Sequence, residues 1–181
     1  MRRSKFRIWL TLLLFGCVFL ASCAAPSSRP TTPDPALGTI AEIVDGDTVI
    51  VEFSNGQKET VRLLGIDTPE TIDPTRPVQC FGAEASAELA RLIPVGSAVR
   101  MERDVEARDR FGRLLAYIYR ASDQLFVNVA LVEGGFADLS IYEPNSAYRS
   151  ELTSAVTSAR TRTRGLWGTC GGPDIPLDPS T

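Results

Sequence analysis

An α+β barrel is the fold this sequence predicts, and three observations carry the prediction. Short segments that alternate apolar and polar residues come first, an Asn-Gly pair joins two of them at hairpin distance, and helical apolar stripes are interspersed only later. That order favours antiparallel hairpins closing on themselves over a doubly wound parallel sheet. Residues 39–44 alternate well enough for a first strand. Residues 48–53 repeat the pattern, with Val49, Val51 and Phe53 on one face. Ser54-Asn55-Gly56-Gln57 then supplies the turn, because Asn-Gly tolerates the positive φ angles that tight hairpins need. Residues 58–66 form the partner strand. Pro69 ends it, and residues 67–79 read as a polar, proline-broken loop at the strand mouth. Across 81–93, Ala85, Leu89, Leu92 and Ile93 make a helical stripe. Residues 97–102 and 113–119 fit two further strands, and Ala121-Ser122-Asp123 turns the chain into a second helix near 125–133, stopped by Gly134-Gly135. A third helix runs over about 146–164 and closes at Gly165. There is no internal repeat.

The ends read differently. Arg2, Arg3, Lys5 and Arg7 precede an apolar run from Ile8 to Leu20, too short to span a bilayer comfortably, and residues 1–22 have the layout of a signal peptide. The run ends in Leu20-Ala21-Ser22-Cys23, which resembles a bacterial lipobox with Cys23 as the lipidated residue. An ordinary signal peptide cut near Ala25, or a retained anchor, is the plainer alternative. Residues 23–36 are Pro-, Ser- and Thr-rich and read as a flexible tether, residues 37–170 as the folded domain, and residues 171–181 as a disordered tail. The expected location is outside the cytoplasm, lipid-anchored at the envelope or secreted. With Cys17 in the apolar run and Cys23 lipidated, only Cys80 and Cys170 remain in the folded part. Two thiols in an oxidising compartment suggest one disulfide.

Composition narrows the chemistry. The chain has no histidine, which excludes any mechanism needing an imidazole as base, nucleophile or zinc ligand. Four of its 19 basic residues lie in the first 22 positions and none of its 22 acids do, so the remainder carries 15 against 22, a formal charge of −7. A protein that grips nucleic acid is expected to be basic, since neutralised phosphates supply most non-specific affinity. Either positive groups are concentrated around a cleft, with Arg62, Arg103, Arg108, Arg110 and Arg113 as candidates, or affinity for long nucleic acid is weak.

Three charged segments stand out: Asp45-Gly46-Asp47-Thr48-Val49, Arg62 to Glu70 (RLLGIDTPE), and Asp109-Arg110-Phe111-Gly112-Arg113. Asp47 taken alone is an Asp-Gly turn residue and Asp67 an Asx-type turn with Thr68 and Pro69. Arg62 and Arg113 taken alone are strand arginines covering apolar surface with their stems. Taken together they make a kit for phosphodiester chemistry. Two carboxylates can hold a hard cation through oxygen, Glu70 can accept a proton from water, and two guanidiniums can offer forked donors to a phosphate. Gly112 is expected to allow close approach of backbone or ligand beside Arg113.

These segments, with FGAEAS at 81–86, RLLAYIY at 113–119, NVALVEGG at 128–135 and YEPN at 142–145, resemble the staphylococcal nuclease (thermonuclease) family over residues 37–167, in order. The resemblance implies a five-stranded OB-type antiparallel β-barrel with three helices, and a calcium-dependent nuclease acting on DNA and RNA, single strands preferred. It implies Asp47, Asp67 and the Thr68 carbonyl as Ca²⁺ ligands, Glu70 as general base, and Arg62 and Arg113 on the scissile phosphate. Arg110, Phe111 and Tyr142 are the expected substrate contacts, and a monomer the expected state. Where the family commonly carries tyrosines near its nucleotide pocket, this chain has Phe111 and Ser140, while Tyr142 remains. Phe111 can still stack on a base. The competing reading is a catalytically inactive OB-type module that binds nucleic acid or a protein at the envelope, supported by the acidic charge and the missing hydroxyls.

Overall fold

The computed structural model describes residues 36–72, 75 and 77–177. The expected signal peptide, Cys23 and the tether up to residue 35 lie outside the described residues. No helix among the described residues is long and apolar enough to cross a membrane.

Five strands close into a barrel: β1 (Ala36–Asp45), β2 (Thr48–Glu52), β3 (Lys58–Leu63), β5 (Ala98–Glu102) and β6 (Leu114–Arg120), in the order β1-β2-β3-β6-β5 with β5 returning to β1. Four seams are antiparallel. The β3–β6 seam is parallel, pairing Val61 with Leu114 and Leu63 with Ala116, so one crossover, not a hairpin, completes the otherwise antiparallel barrel. The alternation read from the sequence sends Val49, Val51, Val61 and Val99 inward, where all are fully buried. The β2–β3 hairpin turns on Gly56, at φ 81°, and the Phe53 N–H donates to the Gln57 carbonyl across it.

Residues 58–66 are not one strand. The chain breaks at Leu64, and β4 (Gly65–Asp67) leaves the barrel to pair with β7 (Asp138–Ser140), a strand the sequence pattern did not reveal. Gly65 makes the break possible: its φ is 77°, and a Cβ there would stand 2.4 Å from the Leu152 side chain. Asn128, completely buried, fixes the break from behind by accepting the Ile118 N–H on Oδ1 and donating from Nδ2 to the Leu64 carbonyl. This offset carries Asp67 to the rim of the barrel.

Helices α1 (Gly82–Leu92), α2 (Val127–Gly134) and α3 (Arg149–Thr161) are the three expected, with a short α4 (Leu166–Thr169) after Gly165. The α1 stripe behaves as its period requires, with Ala85, Leu89, Leu92 and Ile93 all buried. Cys80 and Cys170, 90 residues apart, are joined by a disulfide. Beyond it the chain to Leu177 is not the free tail expected from its composition. Cys80 N–H donates to the Ile175 carbonyl and Leu177 N–H to the Val78 carbonyl, each at 2.8 Å, with Gln79 and Pro176 bridged between them. Backbone pairing and the disulfide outweigh the disorder that Pro and Gly content suggests.

Candidate active site

The site is built where the β1–β2 turn, the end of β4 and the turn before β6 meet. Gly46 lets the first two press together, since a Cβ at that position would lie 2.8 Å from Thr68 Oγ1. Asp47, buried in this turn, accepts the Thr48 hydroxyl on Oδ1 at 2.9 Å and the Thr68 N–H on Oδ2 at 3.1 Å. Arg62, opposite Thr48 in the β2–β3 register, reaches across the mouth. Its Nη2 lies 3.0 Å from Asp47 Oδ2 and 2.8 Å from Asp67 Oδ1, and its Nη1 donates to the Leu63 carbonyl at 2.6 Å. One guanidinium nitrogen therefore brings both carboxylates to a single point. The expected phosphate donor Arg62 is bound to the expected metal ligands.

Asp45 stands behind this pair. Burial pushes its carboxyl above the usual aspartate range, against the opposing pull of the Thr71 hydroxyl and Gly46 N–H. Its link to Thr71 Oγ1 at 2.7 Å and to Ser86 Oγ at 3.1 Å ties the loop of Glu70 to α1. Glu70 is half-buried, and its Oε1 accepts the N–H groups of Thr71 and Ile72, each at 2.9 Å.

The turn before β6 is organised by Asp109. Its Oδ1 accepts the N–H groups of Phe111 and Arg113, and its Oδ2 accepts Arg113 Nε at 2.7 Å. Burial works to raise the Asp109 carboxyl, but Arg113, through side chain, backbone and charge, outweighs it and holds the group below the usual range. Arg113 keeps both terminal nitrogens without a hydrogen bond among the described residues. Phe111, 68% exposed, has Arg110 4.7 Å and Arg113 5.4 Å from its ring centre. Gly112 is needed for its φ of 82°, not for a close approach: a Cβ there would meet nothing within 4 Å.

The charged groups of these segments line one open cleft of about 1380 Å³. Asp47, Arg62, Asp67, Thr68 and Glu70 line it together with Arg110, Phe111 and Arg113, and Tyr142 and Ser140 are also at its wall. Of the five arginines expected there, Arg103 is absent from the lining. Arg108 is present but engaged, donating from both Nη atoms to Glu59 at 2.9 Å. Sequence reasoning missed Asp109 and Asp45 as organisers, although both lie inside the charged segments. It also missed Asn145, buried in the YEPN stretch, whose Oδ1 accepts the Glu106 N–H while its own N–H donates to the Tyr142 carbonyl.

An oxygen-preferring cation fits the donor chemistry. Two carboxylates already converge on one positive nitrogen, and the buried Thr68 Oγ1 beside them has no hydrogen-bond partner among the described residues. The described residues contain no group of three or more His, Cys, Asp or Glu side chains able to hold a metal.

A small barrel with paired acids, a half-buried glutamate and guanidiniums along one cleft belongs to the class of folds that act on phosphodiesters at a barrel rim. Comparison with known proteins gives the family. The sequence model of the staphylococcal nuclease homologues matches residues 60–169. The thermonuclease of Staphylococcus intermedius is 38% identical over 128 residues, covering 71% of this chain and 74% of that protein. The thermonuclease of Staphylococcus hyicus is 35% identical over 128 residues, covering 71% and 73%. Endonuclease YncB of Bacillus subtilis is 37% identical over 135 residues, covering 74% of this chain and 62% of its own length. This chain belongs to the staphylococcal nuclease homologue family.

Proposed function

We propose that this protein is a calcium-dependent nuclease that hydrolyses DNA and RNA outside the cytoplasm, with Glu70 as general base and Arg113 and Arg62 stabilising the charge that grows on the phosphate. The observation that carries this reading is the convergence of Asp47, Arg62, Asp67, Glu70 and Arg113, from three separated segments, on one cleft. Asp47, Asp67 and the Thr68 carbonyl would hold Ca²⁺, which supplies Lewis-acid stabilisation of phosphate oxygens and a lowered pKa for water. Glu70 takes the proton of the attacking water, its carboxylate kept in place by the N–H groups of Thr71 and Ile72. Arg113, oriented through Nε by Asp109, offers its two terminal nitrogens as a fork to the equatorial oxygens. Arg62 supplies the second guanidinium by exchanging one of its carboxylate contacts for the phosphate. Phe111 and Tyr142, both exposed at the cleft, stack against bases, a mode that suits single or frayed strands. Family resemblance adds cleavage of the 5′ phosphorus–oxygen bond, leaving 3′-phosphate products.

The test is Glu70→Gln. Turnover should fall by roughly 10² to 10⁴ while nucleotide affinity is retained, because only proton transfer is removed. EGTA should silence the native protein and added Ca²⁺ restore it. Unchanged turnover in the variant removes Glu70 from its role, and full activity in EGTA removes the metal. For lipidation, the native protein should take up labelled fatty acid in growing cells and the Cys23→Ala protein should not; an unlabelled native protein would rule out lipidation at Cys23.

A further inference from the structure

Gln79 holds Glu70 by both of its backbone polar groups. The Gln79 N–H donates to the Glu70 carbonyl at 2.8 Å, and the Glu70 N–H donates to Gln79 Oε1 at 2.7 Å. The other end of the same amide, Nε2, donates to Asp174 Oδ1 at 3.0 Å. Its two neighbours are held by the same C-terminal segment: Val78 accepts the Leu177 N–H, while Cys80 donates to Ile175 and is bonded to Cys170. Gln79 itself does not line the cleft.

We propose that Gln79, braced by the Cys80–Cys170 disulfide and the strap of residues 170–177, is a positioning residue that sets where the Glu70 carboxylate stands. The inference rests on the assignment of Glu70 as general base. Its physical argument is directional. Oε1 of Glu70 is held by the N–H groups of residues 71 and 72, so where the carboxylate stands depends on the backbone around residue 70, and that backbone is clasped by Gln79. Only an amide can meet both demands made at position 79, an acceptor for the Glu70 N–H and a donor for the Asp174 carboxylate. A glutamate there would set two carboxylates against each other, and a methionine of similar shape would satisfy neither partner. The strap thus reaches the chemistry without touching substrate.

The experiment compares steady-state kinetics of the full chain carrying Gln79→Met, alone and combined with Glu70→Gln, well below the melting temperature of each variant. Gln79→Met should lower kcat by about 10- to 100-fold, the scale of a base displaced by a fraction of an ångström, with KM and nucleotide affinity changed by less than about 2-fold. In the Glu70→Gln background the same substitution should add nothing. Dithiothreitol should lower kcat of the native protein similarly and leave a Cys80→Ser/Cys170→Ser protein, already slow, unchanged. Donor and acceptor can also be exchanged: Gln79→Glu should be slow, and Gln79→Glu with Asp174→Asn should recover to within a few fold. An undiminished kcat in Gln79→Met, an equal loss with and without Glu70, or no rescue by the exchanged pair overturns the proposal. Full activity of Glu70→Gln alone would instead overturn the assignment of the base.

Discussion

Asp109 shows how a single side chain can organise a turn at the candidate site. By accepting two backbone N–H groups on one oxygen and Arg113 Nε on the other, it shapes the turn and aims the guanidinium together. Asp109→Asn keeps an acceptor for the backbone but places an amide where the Nε contact was. KM for a short oligonucleotide should rise on the order of 10-fold, as expected when a charge-assisted contact no longer orients Arg113. The pH dependence separates the two roles. Since the folded carboxyl lies below its unfolded value of about 3.9, the ion pair stabilises above that pH and the contribution is lost as pH falls through the folded pKa. The pair is partly exposed, so the amount is at most about 1 kcal/mol. Urea melts of both proteins should differ at neutral pH and converge on acidification. A gap that persists in acid would assign the loss to the turn alone. At this scale the candidate site was legible from residue type: Asp47, Asp67, Glu70, Arg62 and Arg113, the residues to which the proposed chemistry is assigned, all line the cleft. Their partners were not, because Arg62 meeting both aspartates and Gln79 clasping Glu70 are contacts that no local pattern encodes.

Among the elements, period explains what could be read and competition explains what could not. The barrel strands and α1 follow two- and 3.6-residue spacing closely enough to be located within a few residues. Residues 58–66 read as one strand because the sequence there holds no proline or turn cluster, while the break at Leu64 is imposed from outside by Asn128 and permitted by Gly65. The three-residue partner β7 is too short to show a period at all. The division leaves Asp67 at the end of β4, where it shares the Arg62 guanidinium with Asp47. Asn128→Ala should therefore cost about 2 to 5 kcal/mol, because the Ile118 N–H and the Leu64 carbonyl would both be left buried and unpaired. Calorimetry gives the first number, and calcium titration of the folded variant gives a second: affinity should fall as β4 loosens. A stable variant with unaltered calcium affinity would show that the β4–β7 pairing positions Asp67 unaided.

For the molecule as a whole, the acidic balance poses the sharpest problem, since a formal charge of −7 after the first 22 residues opposes a polyanionic substrate. The cleft does not reverse it. Among the described residues of the cleft, Arg108 is committed to Glu59, Arg113 in part to Asp109, and Arg62 to two aspartates, one of which it must release to reach phosphate, so Arg110 and the terminal nitrogens of Arg113 are the donors that need no such exchange. With about two phosphates neutralised, the logarithm of the association constant for single-stranded oligonucleotide should fall with the logarithm of salt at a slope of about −1.4. Affinity should then depend on stacking at Phe111 and Tyr142 more than on counterion release, so that lengthening a strand beyond the cleft adds little. Binding measured between about 50 and 200 mM salt, in calcium and with the Glu70→Gln protein to prevent cleavage, decides the matter. A slope near −4 would mean that cations outside the cleft engage the strand, and the acidic surface would then be no barrier to long nucleic acid.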